Sequence, residues 1–291
     1  MKNFGGLSKQ EALFEKSKFV VISLPYDQTA SYQKGSVNGP EAILDASYQV
    51  ELYDEELKQE TYKLGIYTYP HFDISGKPEE MIEKILPVYR KLLKETDKVL
   101  VGLGGEHSVS YAPIKAYKEK FPNLSILHFD AHADLRDGYE GERFSHAAVM
   151  RRVSELCPIT QIGIRNYSIG EVPLVEGENN NIHTYLWHEH LPLEKYHDEI
   201  IETLSDTVYI SFDTDGFDPA VFPGTGTPEP GGLTWYDVTS LVRKVSKISK
   251  IVGFDVVELM PLPHNKVSDF TAAKLVYRFM GYAAQSLKWH I

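Results

Sequence analysis

Short apolar runs that end in glycine or acidic residues recur along this chain, and each is followed by residues with helical spacing. The runs cover 18–25, 98–103, 124–130, 159–164, 208–213 and 251–257. Strands this short and this apolar are buried on both faces. Between them, apolar residues at i, i+3, i+4 and i+7 predict helices over 39–50, 79–95, 109–121, 145–156, 235–249 and 268–288. The alternation predicts an α/β fold, a three-layer αβα sandwich around a mainly parallel central sheet. No repeat, low-complexity tract or linker divides the chain, so residues 1–291 are read as a single domain. Residues 176–192 carry the least pattern.

In an open parallel sheet, ligands bind beyond the carboxyl ends of the strands. The chemistry-bearing residues of this sequence stand at those ends. After 98–103 comes Gly104-Gly105-Glu106-His107-Ser108, after 124–130 the run Asp130-Ala131-His132-Ala133-Asp134, after 208–212 the pair Asp213-Thr214-Asp215, and after 251–257 Glu258. An acid-x-His-x-acid step leaving a strand turns three metal-competent side chains the same way, because successive side chains of an extended chain face opposite sides. Asp130, Asp134, Asp213 and Asp215 bring four negative charges, which two divalent cations would balance. Without cations, clustered carboxylates repel, desolvate and raise one another's pKa. The plainer alternative is that these aspartates cap turns and helices.

Charge and composition exclude other classes. A net charge of -11 argues against nucleic acid and mildly favours a cationic ligand. No apolar run approaches the roughly 20 residues of a membrane span, and residues 1–18 lack the apolar centre of a secretory signal. The one cysteine, Cys157, fits a reducing, cytoplasmic setting, where it reads as a small buried hydrophobe.

Taken together and in this order, the Gly104 to Ser108, Asp130 to Asp134 and Ser211 to Pro219 motifs resemble the three signatures of the ureohydrolase family of arginases and agmatinases. The run Pro223-Gly224-Thr225-Gly226-Thr227-Pro228 is closer to the agmatinase branch, as is Pro25-Tyr26-Asp27 followed by Gly35. The resemblance implies a binuclear manganese site. His107, Asp130, Asp134 and Asp213 would hold one ion and Asp130, His132, Asp213 and Asp215 the other, with Asp130 and Asp213 shared. Spacing alone leaves nickel, cobalt, iron and zinc open. The resemblance also implies that Glu258 receives the guanidinium through paired N–H bonds and that His146 shuttles protons to the departing amine. Asp215 would help to steady the tetrahedral intermediate. Asp218 and Glu229 are expected to brace the site, and His128, His183, His188 and His190 are set aside as non-ligands.

The segment 137–145 is acidic where arginases carry polar residues that read an α-carboxylate, which points to a decarboxylated substrate. The expected reaction is hydrolysis of agmatine to putrescine and urea. Aminopropylagmatine is the nearer alternative, with Glu140 or Glu142 meeting its extra nitrogens. Guanidinobutyrate, arginine and formiminoglutamate are further ones. From other classes come a catalytically silent polyamine-binding relative and a deacetylase-like hydrolase with one metal. Ala147, Ala148 and Thr214 depart from the family pattern and bear on the pocket outline. The resemblance further implies a homo-oligomer, a trimer or hexamer.

Overall fold

The computed structural model describes residues 2–177 and 181–290. Its strands are β1 (Phe19–Leu24), β2 (Ile66–Thr68), β3 (Val99–Gly104), β4 (Leu124–Phe129), β5 (Ile159–Ile164), β6 (Ile182–Leu186), β7 (Thr207–Asp213) and β8 (Lys250–Val257). They form one sheet in the order β2-β1-β3-β8-β7-β4-β5-β6, with every pairing parallel. The expected sheet is therefore present, and parallel throughout.

The two faces of the sheet are covered by different helices. Alternate residues of β1 divide between two cores, Phe19 and Val21 in one and Val20, Ile22 and Leu24 in the other. The first core includes apolar residues of α1 (Gly39–Ser47), α7 (Trp235–Val245) and α8 (Val267–Ser286). The second includes those of α2 (Pro78–Glu95), α3 (Tyr111–Lys120) and α4 (Val149–Ser154). Helix starts follow local chemistry. Pro78 opens α2, where its missing N–H costs nothing, and Thr234 and Asp237 form a reciprocal cap on α7. Two further short helices, α5 (Val172–Val175) and α6 (His197–Glu202), were not expected. Neither were the edge strands β2 and β6.

β6 lies within 176–192, the stretch without pattern, of which residues 178–180 fall outside the described residues. Cys157 is buried, and burial pushes its thiol up to about 12, as suits a small hydrophobe. Among the described residues, no helix is long and apolar enough to cross a membrane.

Candidate metal centre and substrate cavity

Sheet order explains why motifs far apart in sequence meet. β3, β8, β7 and β4 are adjacent, and their carboxyl ends carry His107, Glu258, Asp213 with Asp215, and Asp130 to Asp134 in turn. Beyond β3 the chain must pass against the segment leaving β1. A Cβ on Gly105 would stand 2.0 Å from the Tyr26 carbonyl oxygen, so only glycine fits there. The Gly105 N–H donates to Leu24 O at 2.9 Å and Glu106 N–H to Tyr26 O at 2.7 Å. This crossing brings His107 to the centre of the sheet edge.

His107 is buried, and its Nδ1 makes no hydrogen bond among the described residues. Around that nitrogen stand carboxylate oxygens of Asp130 at 3.2 Å, Asp134 at 3.2 Å and Asp213 at 3.3 Å. Four donor atoms thus face one point. A second group forms beside it, where His132 Nδ1 lies 2.9 Å from Asp215 Oδ2 and 3.6 Å from Asp130 Oδ1. Asp130 turns one oxygen toward each group. Asp213 joins the first through Oδ2, while its Oδ1 accepts the Asp215 N–H at 2.9 Å, so the capping reading holds for this residue as well.

The route to this arrangement differs from the expected one. β4 stops at Phe129 and Asp134 has a φ of 53°, so the motif is a loop and not an extended strand. As a result Asp134 and His132 turn to different groups. An acid-x-His-x-acid step on a true strand would have sent both to one ion.

Polar residues inside the sheet hold the carboxylates in place. His128, Gln161 and Thr184 are register partners on β4, β5 and β6. Gln161 Nε2 lies 3.0 Å from His128 Nδ1 and also donates to Ala133 O at 2.7 Å, and Thr184 Oγ1 donates to Gln161 Oε1 at 3.1 Å. With the Gln161 amide donating to Nδ1, the His128 proton sits on Nε2 and donates to Asp130 Oδ2 at 3.0 Å. His128, His107 and Asp130 bring ligand-competent atoms within 4.8 Å of one another. The hydrogen bonds make His128 a brace of Asp130. His107 has a matching support, since its Nε2 lies 3.0 Å from Ser211 Oγ, which donates to Asp255 at 2.8 Å.

Sequence reasoning missed Ser211, Asp255 and Gln161. Their signal was present, as polar residues inside otherwise apolar strands. Glu229 and Asp218, expected to brace the site, have the following contacts. Glu229 stands 3.7 Å from His132 Nε2 and accepts from Asn166, and Asp218 accepts the Ala220 N–H at 2.8 Å within its own loop.

Electrostatics mark the cluster as one awaiting positive charge. Burial, then the Asp130 charge, pushes Asp134 up to about 7. Burial and the charges of Asp215 and Asp130 raise Asp213 well above the carboxylate range. Burial works against Asp130 too, yet the neighbouring imidazoles of His107, His128 and His132 hold it well below that range. Burial, then the Glu106 charge, raises Glu258. A donor set of four carboxylates and two imidazoles, with an orphaned imidazole nitrogen at its centre, fits two hard or borderline divalent cations such as Mn²⁺.

A cavity of about 250 Å³ opens over the cluster, lined among others by Asp213, Asp215, Glu258 and His146. Glu258 has a φ of 64°, and its backbone N–H donates to Gly105 O at 2.7 Å while its Oε1 accepts the His107 N–H at 2.8 Å. His146 is held by Thr29, and its imidazole is lowered to about 4 by burial and by the neighbouring histidines His132 and His107. Ala147 lines the cavity and Ala148 is buried behind it. Thr214 Oγ1 is buried with no hydrogen bond among the described residues, and nothing in the structure explains the choice of threonine there.

The acidic segment does not behave as expected. Asp137 pairs with Arg152 at 2.5 Å, and Tyr139 and Glu142 close a tight turn through mutual backbone bonds. Neither Glu140 nor Glu142 lines the cavity, whereas Arg136, Tyr139, Glu171 and Glu229 do. The Arg136 guanidinium lies 5.1 Å from the Tyr139 ring centroid, with Nε 3.9 Å from Glu171. Two of the other histidines set aside earlier have partners of their own. His190 Nδ1 lies 2.8 Å from Leu186 O, and His188 is on the surface beside Glu189.

Residues 17–281 match the sequence profile of the arginase family. Over 276 residues the chain is 38% identical to an N(1)-aminopropylagmatine ureohydrolase of Synechocystis, covering 92% of this chain and 89% of that one. It is 35% identical over 280 residues to an agmatinase of Bacillus cereus, covering 92% of each. Among solved structures, the agmatine ureohydrolase of Thermoplasma volcanium superposes with a TM-score of 0.86 at 32% identity, covering 100% of this chain and 97% of that one. The proclavaminate amidino hydrolase of Streptomyces clavuligerus superposes at 0.84 with 28% identity, covering 98% of each.

Proposed function

We propose that this chain, which belongs to the arginase family and is a ureohydrolase, releases urea from agmatine or from agmatine extended by an aminopropyl group. The observation that carries the reading is the buried ring of four aspartates and two histidines beneath a cavity that Glu258 lines. His107, Asp130, Asp134 and Asp213 would hold one cation, and Asp130, His132, Asp213 and Asp215 the other. Two manganese ions there supply Lewis acidity and make water nucleophilic near neutral pH.

The protein's own part is binding, aim and proton traffic. A guanidinium carbon is a poor electrophile because its charge is delocalised, so the group must be held still beside the water that attacks it. Glu258 offers the carboxylate for paired N–H bonds, and its backbone lock to Gly105 and His107 fixes that carboxylate relative to the cation cluster. Water adds to the guanidinium carbon and the bond to the alkyl-bearing nitrogen breaks. His146 passes the first proton that the water gives up to that nitrogen. The second, released as the urea carbonyl forms, ends on the departing amine, so urea leaves with an alkylammonium that carries the charge of the guanidinium. Asp215, anchored by the Ala131 N–H at 3.0 Å and by Thr227 at 3.2 Å, would help to steady the tetrahedral intermediate.

Of the two amines, the extended one is favoured by the name of the Synechocystis relative. One observation supports a third reading, a guanidino acid. Arg136 lines the cavity and could meet a carboxylate, and the acidic residues invoked against a carboxylate, Asp137, Glu140 and Glu142, are not among the lining residues. Urea release from agmatine, aminopropylagmatine, arginine and guanidinobutyrate by manganese-loaded protein separates these. The amine reading predicts highest kcat/KM on one of the two amines, and preference for arginine or guanidinobutyrate overturns it. No release from any of the four, with two metals bound per chain, would favour a silent polyamine-binding relative instead. A trimeric or hexameric assembly in the cytoplasm belongs to the same reading, and light scattering of the purified protein tests the assembly.

A further inference from the structure

Thr29 lies outside the motifs that carry the chemistry and Glu106 stands inside one of them beside His107, and together they join the proton-handling histidine to the buried edge of the sheet. Glu106 is fully buried, and four donors converge on its carboxylate. Its Oε2 accepts the N–H groups of Thr29 at 2.7 Å and Ala30 at 3.0 Å, and its Oε1 accepts the hydroxyls of Thr29 and Ser108, each at 2.5 Å. Burial raises the Glu106 carboxyl and the hydrogen bonds from Ser108, Thr29 and Ala30 work against that rise; in the ionised form the four bonds fill its lone pairs and it has no proton to give. The single proton of the Thr29 hydroxyl is therefore committed to Glu106.

What remains on Thr29 Oγ1 is acceptor capacity, and His146 uses it twice. Its backbone N–H donates to Oγ1 at 3.0 Å, and its ring Nδ1 lies 3.2 Å from the same oxygen. An oxygen whose proton is already placed can meet Nδ1 only by accepting from it. We infer that Thr29 fixes His146 as the Nδ1–H tautomer, leaving the Nε2 lone pair for the substrate, and that Glu106 sets the direction of this chain by holding the threonine proton. Glu106, Thr29 and His146 thus form a relay of donors pointing inward to a buried carboxylate. The His146 ring lines the cavity, and the Tyr139 ring meets it edge-on at 5.7 Å, so its position is fixed from both sides.

The consequence for the reaction rests on the ureohydrolase reading of the cavity. With Nδ1 occupied, Nε2 is the atom that takes the proton from the attacking water and returns it to the leaving nitrogen. A ring free to adopt the other tautomer would present an N–H where a lone pair is needed. Thr29 is a positioning residue for this step. It also sits on the loop that brings Ala30, Ser31, Tyr32 and Gln33 to the cavity, which Asp27 closes by accepting the Gly35 N–H at 3.0 Å.

The test uses Thr29→Val, which keeps the side-chain shape and both backbone bonds to Glu106, and Thr29→Ser, which keeps the hydroxyl. ¹⁵N–¹H correlation spectra of zinc-loaded protein, diamagnetic and assigned with His146→Ala, are expected to show the His146 proton on Nδ1 in the wild type and in Thr29→Ser, and a mixture of tautomers in Thr29→Val. With manganese, kcat of Thr29→Val is expected to fall roughly 10- to 100-fold while KM and metal content change little, and Thr29→Ser is expected to recover most of the loss. A wild-type proton on Nε2, wild-type kcat in Thr29→Val, or no recovery in Thr29→Ser overturns the proposal. The spectra need no substrate, so a failure of the ureohydrolase reading shows in the urea assay alone and leaves the tautomer result standing.

Discussion

The floor and the rim of the cavity are built by different means. On the floor, Asp130, Asp134, Asp213, Asp215 and His107 are nearly or wholly inaccessible, and hydrogen bonds from within the sheet brace them. At the rim, Tyr32 is 75% exposed, and the Arg136 guanidinium has a ring contact and a carboxylate at 3.9 Å among the described residues. A buried polar group has to be satisfied by fixed partners, whereas an exposed one can use water. The floor therefore fixes the chemistry, and the rim leaves room to change which tail is accepted.

The sharpest way to break that contrast is at the shared carboxylate. Asp130→Asn is expected to lower urea release by about 1,000-fold or more and to lose bound manganese, read by turnover and by metal analysis of the same sample. Full turnover with both metals retained would mean that Asp130 is not shared. At the border of floor and rim, His146→Ala is expected to slow kcat by roughly 100-fold with metal content unchanged. Unchanged turnover would remove His146 from the reaction. Deeper in the sheet, Gln161→Leu deprives His128 of its donor and is expected to weaken metal affinity by about tenfold, measured by competition with a chelator. Wild-type affinity would show that the brace is idle.

The pH dependence of stability sharpens the same contrast. In metal-free protein, burial pushes Asp134 up to about 7 and raises Asp213 and Glu258, while Asp130, Asp134 and Asp213 outweigh burial and raise His107. All four bind protons more tightly folded than unfolded, so the contribution of the three carboxyls to stability falls as pH rises from about 4 upward and that of His107 from about 6.5 upward. Asp130, held low, has the opposite sign, and its contribution is lost only in acid. Tm of the metal-free protein is expected to drop between about pH 5 and pH 8, and manganese is expected to raise Tm more at pH 8 than at pH 5. A larger metal effect at the lower pH would contradict the assignment of the floor. The smallest effect is expected at the rim. Arg136→Gln removes a cation that opposes a cationic substrate, and kcat/KM for the preferred amine is expected to rise about two- to fivefold at low salt. A fall would favour the guanidino acid.

The floor was legible because each of its motifs fits within a few contiguous residues that follow an apolar run, and a parallel sheet collects such ends on one edge. The order of the strands was not legible, and it is what makes the ends of β3, β8, β7 and β4 neighbours. Braces such as Gln161 and Thr184 depend on cross-strand register, which no local pattern states. β2 has three residues and β6 five, too few for a period to emerge. The acidic segment misled because charge in a sequence does not say where a side chain points. Asp137 answers Arg152 rather than a ligand.

The mutual tie of Glu258 and His107 has a consequence for how such a protein can diversify. One backbone bond runs from Glu258 to the Gly105 carbonyl, and the Glu258 carboxylate returns to the His107 amide, so the ends of β8 and β3 behave as a single rigid jaw. A change that shifts the proposed guanidinium receptor also shifts the His107 nitrogen that faces the aspartates. Inheritance can remodel the tail of the substrate through the loops above, one residue at a time, whereas the reacting end can be altered only in concert.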